Sequence, residues 1–172
     1  MSFNYRIVKP NESSKYRDIR LESLRLYSDR FFSIFEEQQL KPKLSFELFI
    51  EKELPRKFVF GCFDEDKLIG ICGFYIPENS RFGEIIQMYV KKKYQGKGHG
   101  QGLLDGVIEI AFGIDTVDEI QLGVITDASS VIQLYNKTGF INNGVDKING
   151  TIEEQKMVLT RKQYFTYKHL NN

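Results

Sequence analysis

The sequence is short of the residues that several common chemistries require. Among 172 residues there are two histidines, His99 and His169, and two cysteines, Cys62 and Cys72. No Cys/His cluster has the spacing of a zinc site, so no metal is expected, and a Ser-His-Asp hydrolase has few candidates for its base. Each cysteine lies inside an apolar run that reads as strand, which makes buried free thiols the expectation. Neither charge dominates: 24 Lys and Arg stand against 23 Asp and Glu. A bulk field that would draw in nucleic acid or an anionic membrane is therefore missing. The longest apolar stretch, Leu68 to Ile76, is about half of what a bilayer crossing requires, and residues 1–6 carry no signal-peptide hydrophobic region. The expected partner is a small molecule or a protein substrate, with no nucleic acid and no membrane, and the expected location is the cytoplasm.

What the chain does contain is enough apolar residues, 41%, to close one core, and residues 1–172 read as a single domain. Phe3 to Val8 reads as a strand that stops at Lys9-Pro10, and Ser13 or Ser14 offers a cap for an amphipathic helix carrying Ile19, Leu21, Leu24 and Leu26. An aromatic, irregular stretch follows. In it Phe31, Phe32 and Phe35, with Tyr27 nearby, are candidates for the wall of a substrate pocket, or else ordinary core packing. A second helix runs from Ser45 to Leu54 and ends at Pro55. Lys57 to Phe63 and Leu68 to Ile76 flank the polar turn at residues 64–67 as a hairpin would, and Glu84 to Val90 is a third meander strand. A glycine-rich segment leads to a helix from about Gly102 to Phe112. Ile120 to Val124 alternates as a strand, Ser129 to Thr138 is a short helix closed by Gly139, and two strands run from Phe140 to near Thr160. The order makes an α+β chain with a mixed sheet covered by helices. Residues 161–172 read as a polar tail prone to fraying.

The glycine-rich segment, Gln95-Gly96-Lys97-Gly98-His99-Gly100, sits between a strand end and a helix start. Glycines there let the backbone come close to a ligand, and the first helical N–H groups supply anion affinity, so the segment reads as a phosphate site. No Gly-Lys-Ser/Thr follows four spacers, which excludes the Walker form. The dinucleotide fingerprint fails as well, because its third glycine would fall on Gln101 or Leu103.

The pattern it does fit is Gln/Arg-x-x-Gly-x-Gly/Ala, carried by Gln95, Gly98 and Gly100. With the strand at residues 84–90 before it, Leu103-Leu104 after it, and Leu134-Tyr135-Asn136-Lys137-Thr138-Gly139-Phe140 downstream, the chain resembles the GNAT superfamily of acyl-CoA N-acetyltransferases. The resemblance is strong over residues 57–160 and loose in the N-terminal third. It implies a mixed, mostly antiparallel central sheet flanked by helices. It also implies acetyl-CoA as acyl donor, an amine acceptor that is either a small molecule or a peptide amino group, and room for a homodimer. The backbone of Met88, Tyr89 and Val90 would pair with the pantetheine arm, and the amides of Gly96, Lys97, Gly98, His99, Gly100 and Gln101 would hold the pyrophosphate. Lys91, Lys92, Lys93 and Lys97 either touch phosphate or form a solvated basic surface. His99 is expected to contribute its backbone rather than an acid or base.

Transfer to an amine needs a neutral nucleophile, a stabilised oxyanion and a proton for the departing thiolate. The resemblance assigns Glu84 as base or water relay and Tyr135 as the proton donor. A strand N–H near Tyr89 or Val90 would serve the oxyanion, on the assumption of a bulge in that strand. Glu84 could otherwise be a strand-edge ion pair, and Tyr135 a half-buried helix-face aromatic. The asparagine that the family often carries seven residues before the tyrosine is Ala128 here; Asp127, Ser129 or Ser130 could replace it, and Ser129 is taken as a cofactor contact. A catalytically weak acyl-CoA-binding regulatory module is the alternative reading.

Overall fold

The computed structural model describes residues 3–28, 34–148, 150 and 152–170. In chain order the elements are β1 (Phe3–Ile7), α1 (Ser13–Leu26), α2 (Phe35–Leu40), α3 (Ser45–Glu51), β2 (Lys57–Asp64), β3 (Lys67–Tyr75), β4 (Phe82–Val90), α4 (His99–Phe112), β5 (Glu119–Ile125), α5 (Ser129–Lys137), β6 (Ile141–Ile148), β7 (Ile152–Thr160) and α6 (Arg161–Leu170). The strands form one sheet in the order β1-β2-β3-β4-β5-β7-β6. The β4–β5 pair is parallel, while the pairs β1–β2, β2–β3, β5–β7 and β6–β7 are antiparallel. The fold is therefore the mixed, mostly antiparallel sheet flanked by helices that the sequence implies. No described helix is long and apolar enough to cross a membrane.

The chain gathers into two compact units. The first comprises Met1–Tyr75 with Gln87–Val107, the second Ile76–Ile86 with Ile108–Asn172.

In the first unit, β2 and β3 are apolar at almost every position because both of their faces are covered. Alternation along a strand sends neighbouring side chains to opposite faces. On one face Phe60 and Cys62 of β2 and Tyr5 of β1 meet α4. The helix can lie this close because Gly102 and Gly106 face the sheet: a Cβ at Gly106 would stand 2.2 Å from the Phe60 ring, and one at Gly102 2.6 Å from Tyr5. The other face packs against α1 and α3. There Arg6 stacks over Phe63 at 3.9 Å and donates to both oxygens of Glu12, at 2.7 and 2.9 Å. Glu12 also accepts the Lys9 amide, and these bonds, the one from Arg6 foremost, hold its carboxyl down at about 2. Both cysteines are buried free thiols; burial pushes Cys72 up to about 12.

Two elements differ from the sequence reading. The irregular aromatic stretch ends in a short helix, α2, whose six residues are too few for a legible period. Residues 161–170, read as a fraying tail, form α6 in the second unit. Its start is a capping box: Thr160 Oγ1 accepts the Gln163 amide at 3.2 Å while Gln163 Oε1 accepts the Thr160 amide at 2.9 Å. Arg161 then donates to the carbonyls of Phe112, Ile114 and Val117 at 2.7 to 2.9 Å, and Tyr164 packs on Phe112. The core of this unit is Ile85, Ile120, Leu122, Met157 and Leu159 with Ile108, Ala111 and Phe112 of the α4 end.

Candidate active site

In the first unit the C-terminal part of β4 opens on a departure from regular strand geometry. Gln87 has φ +56°. A left-handed non-glycine residue costs about 1–2 kcal/mol and needs something to hold it. The buried Tyr16 hydroxyl does so, donating to Gln87 Oε1 at 2.7 Å. The sequence reading assumes a bulge near Tyr89 or Val90; the departure observed in β4 is the left-handed Gln87. After it come half-buried Met88 and buried Tyr89 and Val90. The Tyr89 hydroxyl donates to Glu22 at 2.9 Å, and Lys91 reaches the same carboxylate at 2.5 Å. Burial, then the bond to Glu22, raises the Tyr89 phenol well above its ordinary value.

The glycine segment follows a turn at Lys92–Tyr94 that is anchored by the Tyr94 hydroxyl on Asp64 at 2.7 Å. Gln95 ties the segment back to the strand by donating from Nε2 to the Val90 carbonyl at 2.7 Å. Gly96 and Gly98 have φ of +72° and +84°, and a Cβ at either would meet nothing within 4 Å. The backbone conformation, not crowding, is what requires glycine at both positions. The first bond of α4 runs from the Gly102 amide to the Gly98 carbonyl at 3.1 Å, so the amides of His99 and Gly100 precede the helical ladder. The backbone there is open, and the leading amides of a fourteen-residue helix are of the kind that attract an anion.

The His99 side chain turns the other way. It is 5% exposed, its ring lies 4.3 Å from that of Phe3, and Nδ1 shares a 2.8 Å hydrogen bond with the Tyr5 hydroxyl. The His99 imidazole, with Nε2 buried and without a hydrogen-bond partner, fastens the helix start to β1 through Tyr5. Among the lysines, Lys91 is taken by Glu22, and Lys93 and Lys97 lie over the Tyr94 ring at 4.7 and 5.9 Å.

In the second unit, half-buried Glu84 pairs with Gln121 across the short parallel ladder. Tyr135 lies on α5, 5% exposed, with its ring 5.8 Å from Phe140. Ser129, exposed, begins that helix after Ala128.

A sequence profile of the Acetyltransferase (GNAT) family matches residues 21–140. The chain belongs to that family. Among similar solved structures is a GNAT-family acetyltransferase from Streptococcus pneumoniae, 22% identical with a TM-score of 0.73, covering 92% of this chain and 99% of that one. Spermidine N-acetyltransferase from Vibrio cholerae, in complex with CoA and spermine, aligns at 21% identity and TM-score 0.69 over 95% and 98% of the two chains. NAA60 from Arabidopsis thaliana, in complex with acetyl-CoA, aligns at 16% and 0.70 over 94% and 99%.

Two features of this GNAT protein escape the sequence reading. The first is Glu154 of β7, 4% exposed and paired with Lys156. Its carboxylate lies over Gly123 of β5, where a Cβ would come within 2.0 Å of Oε1. Strand registers put Glu84, Gln121, Gly123 and Glu154 on one face of the second unit's sheet. A glycine inside an alternating strand was the available signal. The second is a cleft of about 230 Å³ in the first unit, bordered by Tyr16, Arg20, Gln38, Lys41, Ser45 and Gln87. The sequence reading weighs Phe31, Phe32 and Phe35 as a pocket wall or as ordinary core packing. Phe31 and Phe32 lie outside the described residues, and Phe35, at the start of α2, does not line the cleft.

Proposed function

We propose that the protein transfers an acetyl group from acetyl-CoA to a primary amine, of a small molecule or a peptide, by direct attack within a ternary complex. The observation that carries this reading is the cradle at Gly96 to Gly100. Two left-handed glycines on open backbone lead into the first amides of a long helix, one turn after a strand that carries the left-handed residue Gln87.

Acetyl-CoA would bring the activated thioester. The residues suited to hold it are the amides of Gly96 through Gln101 for the pyrophosphate and the backbone of Met88, Tyr89 and Val90 for the pantetheine arm, with Ser129 as a further contact. The protein's own task is proton management. An amine of pKa about 10.4 is neutral only about one part in a thousand near pH 7.4, a penalty of about 4 kcal/mol that a base offsets. Glu84 takes that role, directly or through water, and Tyr135 returns a proton to the departing thiolate, whose thiol lies near 8.5 against a phenol near 10. Cys62 and Cys72 are buried and have raised pKa values, which supports direct transfer over a covalent acetyl-cysteine route.

The test is thiol release from acetyl-CoA with a panel of amines, run beside calorimetry of acetyl-CoA binding. The proposal expects binding and amine-dependent release, with Glu84→Gln abolishing the acidic limb of the kcat/KM pH profile. Binding with no release on any amine would replace it with a regulatory acyl-CoA-binding module.

A further inference from the structure

Among the described residues other than glycine, Glu53, Glu65, Asn79 and Gln87 have positive φ. The first three lie in turns between elements, where a left-handed residue is ordinary. Gln87 alone lies inside a strand. Before it, burial along β4 alternates, with Gly83 and Ile85 buried; after it, the successive residues Tyr89 and Val90 are both buried. Such a residue persists only where its surroundings hold it.

Helix α1 supplies a hold. Its Tyr16 is fully buried, with the ring 6.4 Å from that of Phe46 in α3, and its hydroxyl donates to Gln87 Oε1 at 2.7 Å. Burial raises this phenol above its ordinary value, so it stays protonated and able to donate under any assay condition near neutrality. Farther along α1, Glu22 accepts from the Tyr89 hydroxyl at 2.9 Å and from Lys91 at 2.5 Å. The side chains of Gln87 and Tyr89 thus both go to α1. Val90 goes to the α4 side, where a Cβ on Gly70 would meet both Val90 and Leu103. From Gln87 onward the strand therefore alternates again, and the residue at which its phase is set is the one that Tyr16 holds.

We propose that Tyr16 is a positioning residue for acetyl-CoA: by keeping Gln87 left-handed, its hydroxyl fixes the direction in which the backbone of Met88, Tyr89 and Val90 meets the pantetheine arm. The inference rests on the acetyl-transfer reading for the identity of that ligand, but not for the clamp between α1 and β4. Without the phenol, Gln87 is drawn back toward negative φ, and only the fraction that stays left-handed is competent to bind. The strain of a left-handed residue corresponds to a loss of roughly five- to thirtyfold in that fraction.

Calorimetry compares two ligands: acetyl-CoA, and 3′-phospho-ADP, the nucleotide end of coenzyme A cut at the pyrophosphate and lacking the pantetheine arm. Tyr16→Phe keeps the ring and should weaken acetyl-CoA roughly five- to thirtyfold while leaving 3′-phospho-ADP within about twofold. Glycine adopts positive φ as readily as negative, so Gln87→Gly should bind acetyl-CoA nearly as well as the wild type, and Tyr16→Phe added to it should cost no further affinity. Should Tyr16→Phe fail to fold, Gln87→Ala decides, since it removes the acceptor, keeps the strain and should behave as Tyr16→Phe does. Equal weakening of both ligands would reduce Tyr16 to a structural residue. Unchanged acetyl-CoA affinity, or a loss that persists in the Gln87→Gly background, would overturn the proposal and leave acetyl transfer standing. The expected affinities with no thiol release on any amine would keep Tyr16 in its role and sink the acetyl-transfer reading. Wild-type protein that does not bind acetyl-CoA would sink both.

Discussion

Replacing Gly98 separates two explanations of the glycine segment, because a glycine kept for its turn and a glycine kept for a ligand lose different things. With φ at +84° and nothing within 4 Å of a Cβ, Gly98→Ala introduces backbone strain but no clash. The strain is about 1–2 kcal/mol, which for a chain of this length lowers Tm by roughly 2–8 °C. Gly98→Val, with its branched Cβ, lies at the upper end. Acetyl-CoA affinity should fall much further. Shifting the backbone that presents the His99 and Gly100 amides forfeits charge-assisted bonds worth about 1.5–3 kcal/mol each, or roughly ten- to a hundredfold in Kd per bond. Gly144→Ala is the control, since Gly144 has φ +112° and equally open surroundings at the irregularity in β6. It should cost similar stability and leave Kd alone. Calorimetry of acetyl-CoA binding with thermal melts on the three variants reads both quantities. Normal acetyl-CoA binding by folded Gly98→Val would refute the cradle.

Tyr135→Phe should lower kcat at least tenfold with little change in the acetyl-CoA Kd, measured by steady-state kinetics and calorimetry. Because bonds from Arg6 hold the Glu12 carboxyl at about 2 in the folded state, its contribution is complete above about pH 5 and is lost as pH falls toward 2. Denaturant melts should show Glu12→Gln less stable by roughly 1–3 kcal/mol at pH 7 and flatter across that acidic window. Arg161→Ala removes the donor to three backbone carbonyls and should cost about 2–4 kcal/mol, read as a lowered denaturation midpoint and faster amide exchange in α6.

Strands β2 to β5 and helices α4 and α5 were legible in the sequence because their apolar patterns are long and their ends are marked by polar turns or glycine. The glycine turn was legible for a different reason: glycine spacing reports backbone conformation directly, and Gly96 and Gly98 do have positive φ. What stayed hidden depends on contacts between distant residues. The cap at Thr160 and Gln163 was written in the sequence as a Thr-x-x-Gln step, yet without Phe112 beneath it the polar run after it gives no reason to order. Glu154 and Gly123 are 31 residues apart and meet only through the β5–β7 register. The cleft beside Gln87 draws on α1, α2, the start of α3 and β4, and no local pattern announces such a wall.

The glycines that let α4 lie against Tyr5 and Phe60 also weaken it as a helix. Gly100, Gly102 and Gly106 lie within its fourteen residues, and each costs up to about 1 kcal/mol relative to alanine. Such a segment gains its helicity from the sheet beneath it, so its first turn should order late in folding and open early under native conditions. A ligand seated on those leading amides would then act as a missing piece of the folding code, supplying order that the local sequence withholds. Amide exchange from His99 to Leu104 should slow on adding acetyl-CoA by a factor that tracks its saturation.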